Sequence, residues 1–404
     1  MPITPITQET QQADVVIVGA GMVGSALALA LSASDLSITL LDAAPLSAPV
    51  VFNPQSAFSP RVSALSAASQ KLLDDLDVWQ GIIARRACPY SKMQVWDGSG
   101  CGQIEFSAES VHAEVLGHIV ENNVVQAALL ERLHKSPVHL LGHSPLQSLN
   151  PSGSGWQLTL QNGEHLHASL VLAADGATSK VRELAGLTTR EWDYLHQAIV
   201  TSVRCDRPHQ NCARQRFTDD GPLAFLPLSG ADEHCCSIVW SVPPAEATRL
   251  MALSDKDFCQ ALSRAFKYRL GVVTQSDPRL CIPLRQRHAK RYIKPGLALL
   301  GDAAHCIHPL AGQGVNLGFL DAATLAQTLL EARSRGENIA DERVLGRYER
   351  NRMPHNLAMM AAMEGFERLF QADALPLRWL RNQMLERANQ LPAIKAWFTR
   401  QALG

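Results

Sequence analysis

The chain has 404 residues, with 37 Lys and Arg against 38 Asp and Glu, a formal net charge of −1, and 46% hydrophobic residues. That length can bury the core of one large domain plus a second lobe, and the charge balance argues against a broad nucleic-acid-binding surface. No apolar run is long enough for a transmembrane helix and no signal-type segment opens the chain; nine scattered cysteines without a close CxxC pair fit reduced thiols in a cytoplasmic protein.

Residues 2–13 lack periodicity and read as a loose leader. Val15 to Val18 is the first buried strand, followed by Gly19-Ala20-Gly21-Met22-Val23-Gly24 and a helix to about Ser34. In such a fingerprint the first glycine allows the tight turn, the second admits a pyrophosphate to the backbone, and the third lets helix and strand pack closely. The phosphate meets unpaired N–H groups at the helix start. The next strand, Ser37 to Leu41, ends at Asp42, whose carboxylate can accept hydrogen bonds from an adenosine ribose. Strand, fingerprint, helix, strand and acid in this order predict dinucleotide binding.

A Pro-, Ala- and Ser-rich stretch to Pro60 reads as a loop able to cross the cofactor site. Arg61-Val62-Ser63-Ala64 leads into a helix-like region ending near Trp79. Arg61 suits a phosphate or ribitol contact and, equally, an exposed cap or salt bridge. A second helix begins near Asn122, which is placed either to touch the cofactor or to cap that helix. Trp156 to Leu160 and His165 to Ala173 read as antiparallel strands around Asn162-Gly163. In Ala174 to Arg182 after them, Asp175 and Gly176 could form a second edge of the dinucleotide site or a capped strand-to-helix transition.

From about Leu187 to Ile282 short strands dominate, with a helical stretch over 244–270. Phe217, Phe225 and Trp240 are candidates to line an aromatic, apolar substrate pocket; core packing accounts for each of them separately. Leu297 to Leu300 is another buried strand, and Gly301-Asp302 places a carboxylate beyond its end, where open α/β folds keep ligands. Pro309 shapes the loop before Gly312-Gln313-Gly314, and Asn316 lies at the start of a helix carrying Leu317, Leu320, Leu325 and Leu329. His305 and His308 are loop hydrogen-bonding residues or groups that orient a substrate; their spacing does not make a metal site, and no metal is assigned. The tail from Leu345 reads as helices interrupted by Pro354, Pro376 and Pro392, with Trp379, Trp397 and Phe398 suited to packing or to a membrane interface.

Three ordered segments, GAGMVG at 19–24, ADGATSKVR at 174–182 and GDAAHCIHPLAGQGVNLGFLDAA at 301–323, resemble the class A flavin-dependent aromatic hydroxylases. The resemblance implies an α/β fold like that of para-hydroxybenzoate hydroxylase, with an inserted mixed or antiparallel sheet for substrate and a helical C-terminal region. It divides the chain into FAD-binding parts at 1–89, 110–186 and 283–344, substrate-domain parts at 90–109 and 187–282, and a helical region at 345–404. It implies resident FAD, NADH or NADPH as visiting electron donor, and aromatic monooxygenation by molecular oxygen through flavin C4a-hydroperoxide. The family-implied cofactor residues are Gly19, Gly21, Gly24, Asp42, Arg61, Asn122, Asp175, Asp302, Gly312, Gly314 and Asn316. The catalytic candidates are Pro309, which the resemblance implies shapes the oxygen-reacting face of the flavin, and His308, a group to polarise its neighbours or orient the phenol.

Arg61-Val62-Ser63-Ala64-Leu65, Leu116 to Asn122 and Ala224 to Ser229 narrow the resemblance to the ubiquinone-biosynthesis hydroxylases, closest to the branch that oxygenates ring carbon 5 of a 2-polyprenylphenol. Sister enzymes acting at ring carbon 1 or 6 share the cofactor motifs. Other aromatic monooxygenases, a flavin oxidoreductase and a non-enzymatic flavin-binding assembly protein are the alternatives of other classes. The implied partners are a prenylated phenol and other ubiquinone-biosynthesis proteins, with a homo-oligomer and peripheral contact with the inner face of the cytoplasmic membrane left open.

Overall fold

The computed structural model describes residues 10–47, 52–53, 56–98, 102–230, 232–306 and 314–371. The expected loop residues Pro309, His308 and Gly312, and the tail beyond 371 with Trp379, Trp397 and Phe398, lie outside the described residues.

Strand β1 (Gln11–Val18) carries a near-continuous apolar run because it is buried on both faces, as parallel strands are. It pairs in parallel with β2 (Ile38–Leu41) and β11 (His165–Ala173); β8 (His139–Leu141) and β19 (Leu297–Leu299) extend the parallel set. Strand β18 (Ile293–Lys294) adds an antiparallel edge to β19, and β9 (Leu146–Ser152) with β10 (Gly155–Leu160) an antiparallel flap on β11. Helices α1 (Met22–Leu31), α4 (Asn122–Leu133), α8 (Gly314–Ser334) and α9 (Glu342–Gln371) join this sheet in the main core.

A nine-stranded sheet forms the second layer system. Its order is β20 (His305–Cys306), β17 (Leu280–Ala289), β12 (Thr189–Cys205), β15 (Cys235–Val242), β14 (Gly221–Pro227), β13 (Cys212–Thr218), β5 (Lys92–Asp97) and β6 (Gln103–Ser107), with β16 (Val273–Ser276) beside β12. Helices α6 (Pro244–Met251) and α7 (Asp255–Ala265) cover one face. The other face meets a small sheet of β3 (Val62–Leu65), β7 (Gly117–Glu121) and β4 (Cys88–Tyr90).

Several local expectations are corrected. Val62–Leu65 is a strand; the helical region expected to end near Trp79 is α2 (Ala67–Asp75), capped by Ser66, and a further helix, α3 (Trp79–Arg85), begins where it was expected to end. Pairing with β7 gives Val62 to Leu65 a ladder that local propensity does not show. The first substrate strand is not short: β12 runs 17 residues and pairs with β17 over most of its length within the nine-stranded sheet. Pro354 does not end a helix but lies inside α9, where Arg352 and Asn356 on either side are anchored to Asp321.

Candidate functional site

The three segments singled out in the sequence converge. A Cβ on Gly19, which has φ +101°, would lie 2.5 Å from the Ala174 carbonyl oxygen and 2.7 Å from the Asp175 Cα, so the first segment rests on the backbone of the second. Val23 is wedged between the first segment and the third: its methyls lie 3.3 Å from a Cβ built on Gly301 and 2.6 Å from one built on Gly318. Buried Arg182, which the sequence placed in a motif without a role, ties the second to the third by donating to the carbonyls of Ala303 (2.7 Å) and Ala177 (2.8 Å). Helix α5 (Lys180–Leu184) holds it there.

Gly21 differs from the other two fingerprint glycines. Its backbone is ordinary extended chain (φ −65°, ψ −179°), and a Cβ there would meet nothing within 4 Å. It is the N-cap of α1, which has no side-chain cap and no acidic residue in its first turn. The helix therefore presents unpaired N–H groups and the positive end of its dipole to open space, the arrangement that a pyrophosphate completes. The residues fit FAD on this observation. Gly24 has a packing role, since a Cβ there would sit 1.9 Å from the Gly19 carbonyl oxygen.

Asp42 is fixed at the end of β2, its carboxylate accepting from the amides of Ala20 (2.7 Å) and Ala44 (2.7 Å). Gln126 on α4, missed in the sequence, donates to the Ala20 carbonyl from the other side. Asp302 follows Gly301, whose φ of +57° makes the turn. Its side chain still meets water, yet the crowding around it strips enough hydration to raise its pKa, opposed by the positive charges of His305 and Arg61. Arg61 is exposed and within electrostatic reach of Asp302. When bound, FAD supplies the redox chemistry, accepting reducing equivalents from NAD(P)H and activating oxygen. The uncapped start of α1 would hold its phosphates, and the Asp302 turn would stand beside its ribityl chain.

Three expected cofactor side chains hydrogen-bond to neighbouring groups of the protein. Asp175 accepts from the Ser179 hydroxyl (2.5 Å) and the Val181 amide (3.0 Å), so its carboxylate caps α5 while its backbone supports Gly19. Asn122 accepts from Ser63 (2.7 Å), locking β3 to the start of α4. Asn316 donates to the Ala64 carbonyl (2.8 Å) and accepts from Ser66 and Ser69, clamping α8, which begins at Gly314, onto β3 and α2.

Two of the three expected substrate residues are also corrected. Phe225 stacks on Phe266 at 3.8 Å between ring centroids, and Trp240 packs near Phe258, so both fill the core under α6 and α7. Phe217 packs against Val95 and Ile104 toward the end of the sheet. The face turned toward β3 carries smaller groups instead: Ala213, Ala224, Leu226 and Val239 pack with Ala64 and Ile119.

A buried polar network under the Asp302 turn was not foreseen. Asp321, fully buried on α8, accepts from the Gly301 amide (3.1 Å), His305 Nε2 (2.5 Å), Arg352 Nε (2.8 Å) and Asn356 Nδ2 (3.1 Å). His305 thus points into the protein and orients no substrate. The readable signal was a lone carboxylate on the apolar stripe between Leu317 and Leu325. Next to it, His288 shares a 2.9 Å hydrogen bond with the Tyr292 hydroxyl. Burial first, then the charge of His305, depresses the His288 pKa to about 4 from its ordinary 6.5. The unfolded chain therefore takes up a proton that the fold refuses between those values, and this contribution to stability is lost as pH falls from 6.5 to about 4. Denaturation midpoints measured across that range should fall, and fall less in His288→Gln; equal slopes in both proteins would reject the assignment.

Among the described residues no group of three or more His, Cys, Asp or Glu is placed to hold a metal, and no helix is long and apolar enough to cross a membrane. Cys306, beside the site, has its thiol pushed up to about 12 by burial and then by Asp302, which makes it a poor nucleophile.

The FAD binding domain family matches residues 12–363. The chain is 39% identical to 3-demethoxyubiquinol 3-hydroxylase of Escherichia coli, covering 98% of this chain and 99% of that protein. It is 35% identical to the mitochondrial ubiquinone biosynthesis monooxygenase COQ6 of Xenopus tropicalis, over 95% and 91%. The crystal structure of p-nitrophenol 4-monooxygenase PnpA from Pseudomonas putida superposes with a TM-score of 0.77 over 98% of this chain and 99% of that one, at 21% identity, which shows the shared fold. The converging glycine turn, Asp302 turn and two-sheet architecture, with likeness along nearly the whole length, show that this chain belongs to the FAD-dependent monooxygenases of the ubiquinone-biosynthesis hydroxylase family.

Proposed function

We propose that the enzyme hydroxylates ring carbon 5 of a polyprenylated phenol in ubiquinone biosynthesis. The observation that carries the substrate class is the near-full-length likeness to ubiquinone-pathway hydroxylases of bacteria and mitochondria. The ring position rests on the motif segments around Val62 to Leu65, Leu116 to Asn122 and Phe225 to Leu228. A second reading, hydroxylation of a 3-demethoxyubiquinol, is favoured by the 39% identity to the E. coli enzyme of that name. One flavin can serve both, because the pocket's grip on the ring decides which carbon is attacked. A polyprenyl tail keeps the substrate in a membrane, so the enzyme is proposed to work at the inner face of the cytoplasmic membrane beside other proteins of the pathway.

Turnover by the FAD-loaded enzyme with NADH or NADPH under labelled oxygen tests this, with a prenylated phenol and a demethoxyubiquinol-type quinol offered separately. One labelled oxygen at ring carbon 5, located by NMR, is the expected result. Label only in the demethoxyubiquinol product selects the second reading, and a verified product without label rejects monooxygenation. Turnover confined to a small unprenylated aromatic acid overturns the pathway assignment.

A further inference from the structure

Gln215 lies in the middle of β13, opposite Ala224 on β14 and Val95 on β5. Strand alternation puts its side chain on the same face as Ala213, Phe217 and, across the ladder, Ala224, away from α6 and α7. It is 5% exposed, and its amide has no hydrogen-bond partner among the described residues. A primary amide held this way in a fold of paired polar groups is costly unless a ligand completes it. The Gln94 amide oxygen, on the opposite face, is sealed away from solvent, whereas the Gln215 side-chain amide is not. The small side chains of Ala213 and Ala224 flank it.

This face also leads to the flavin side of the molecule. Ala213 and Ala224 share a cluster with Ala64, whose carbonyl accepts the 2.8 Å hydrogen bond from Asn316 that seats the start of α8. At the other edge of the same sheet, β17 pairs with β20, which directly follows the Asp302 turn.

We propose that Gln215 reads the substrate ring, its amide oxygen accepting a hydrogen bond from the phenolic hydroxyl and so fixing which ring carbon faces the flavin. This rests on the phenol-hydroxylase reading above. An amide is not basic enough to take the proton; it orients the hydroxyl and draws electron density toward the ring without ionising it. Its Nε2 hydrogens remain free to donate to a neighbouring oxygen substituent, a second point of discrimination between phenols.

The test compares a short-tailed 2-prenylphenol with the analogue in which methyl replaces the hydroxyl, binding each to FAD-loaded enzyme and following the flavin absorbance. The native enzyme should prefer the phenol by roughly tenfold or more, the value of a hydroxyl recognised by a buried polar partner. Gln215→Leu should lose that preference with normal FAD content, and Gln215→Glu, which keeps an acceptor, should retain it. Product from Gln215→Leu should carry oxygen at more than one ring position. An unchanged preference in Gln215→Leu overturns the proposal, as does equal weakening of both ligands, which marks a merely structural role. Should the native enzyme bind and hydroxylate no phenol at all, the phenol-hydroxylase reading fails first, and this proposal with it.

Discussion

Gly21→Val should yield a folded protein that has lost its flavin. The backbone at Gly21 is extended, a conformation valine favours, and the new Cβ would touch no protein atom within 4 Å. Stability of the apoprotein should therefore change by less than about 1 kcal/mol. The same methyls fill the space over the uncapped start of α1, where the pyrophosphate must approach the backbone. FAD affinity should fall on the order of a hundredfold or more, the equivalent of about 3 kcal/mol. Circular dichroism and denaturation report the fold, and flavin fluorescence titration reports the binding. Gly24→Ala provides the contrast: its Cβ, 1.9 Å from the Gly19 carbonyl oxygen, forces the turn itself to move, so stability and binding should fall together. Near-native FAD affinity in folded Gly21→Val would remove the phosphate site from this turn.

Asp321→Ala should be the most damaging single change in the described core. Burial alone would raise the Asp321 pKa, but the charges and hydrogen bonds of His305 and Arg352 hold it below the ordinary carboxylate value of 3.8. A depressed carboxylate contributes stability that is complete above its unfolded pKa and lost only as pH falls through the folded one, so the effect is fully present at neutral pH. Removing it leaves the Arg352 guanidinium, 4% exposed, without its carboxylate, and the Gly301 amide without its acceptor. Breaking one side of such a buried pair costs about 3 to 5 kcal/mol. Chemical denaturation should show that loss. FAD should also bind more weakly, because Gly301 sets the Asp302 turn. Asp321→Asn, which keeps an acceptor but not the charge, should fall between the two. A denaturation midpoint for Asp321→Ala within experimental error of the native value would mean that the network contributes nothing net.

Much of the cofactor half was legible in the sequence because its signals are local. A glycine at φ +101°, an apolar run ending in an acid, and a leucine repeat near the helical period each depend on a few neighbouring residues. Their order along the chain then predicts a parallel sheet with a phosphate turn, and the pairing of β1 with β2 and β11 has that form.

What only the tertiary structure decided falls into two kinds. The first is the choice of face. Strand β14 is buried at every position from Gly221 to Pro227, so alternation divides Phe225 from Ala224 without saying which side meets the helices and which meets β3. Phe225 and Trp240 therefore read as pocket residues, whereas Gln215, on the other face, drew no notice. The second is pairing between distant residues. Asn316 serves Ala64 across 252 positions, Arg182 serves Ala303 across 121, and Arg86 forms a buried ion pair with Glu121 at 2.6 Å. Each side chain alone is an ordinary polar residue, and its partner is set by which strands and helices the topology brings together. The glycines and acids of the motifs could be read because backbone sterics and periodicity act within a turn or two; the clamps and the sheet face that carries Gln215 could not, because they exist only once the two sheets have closed on one another.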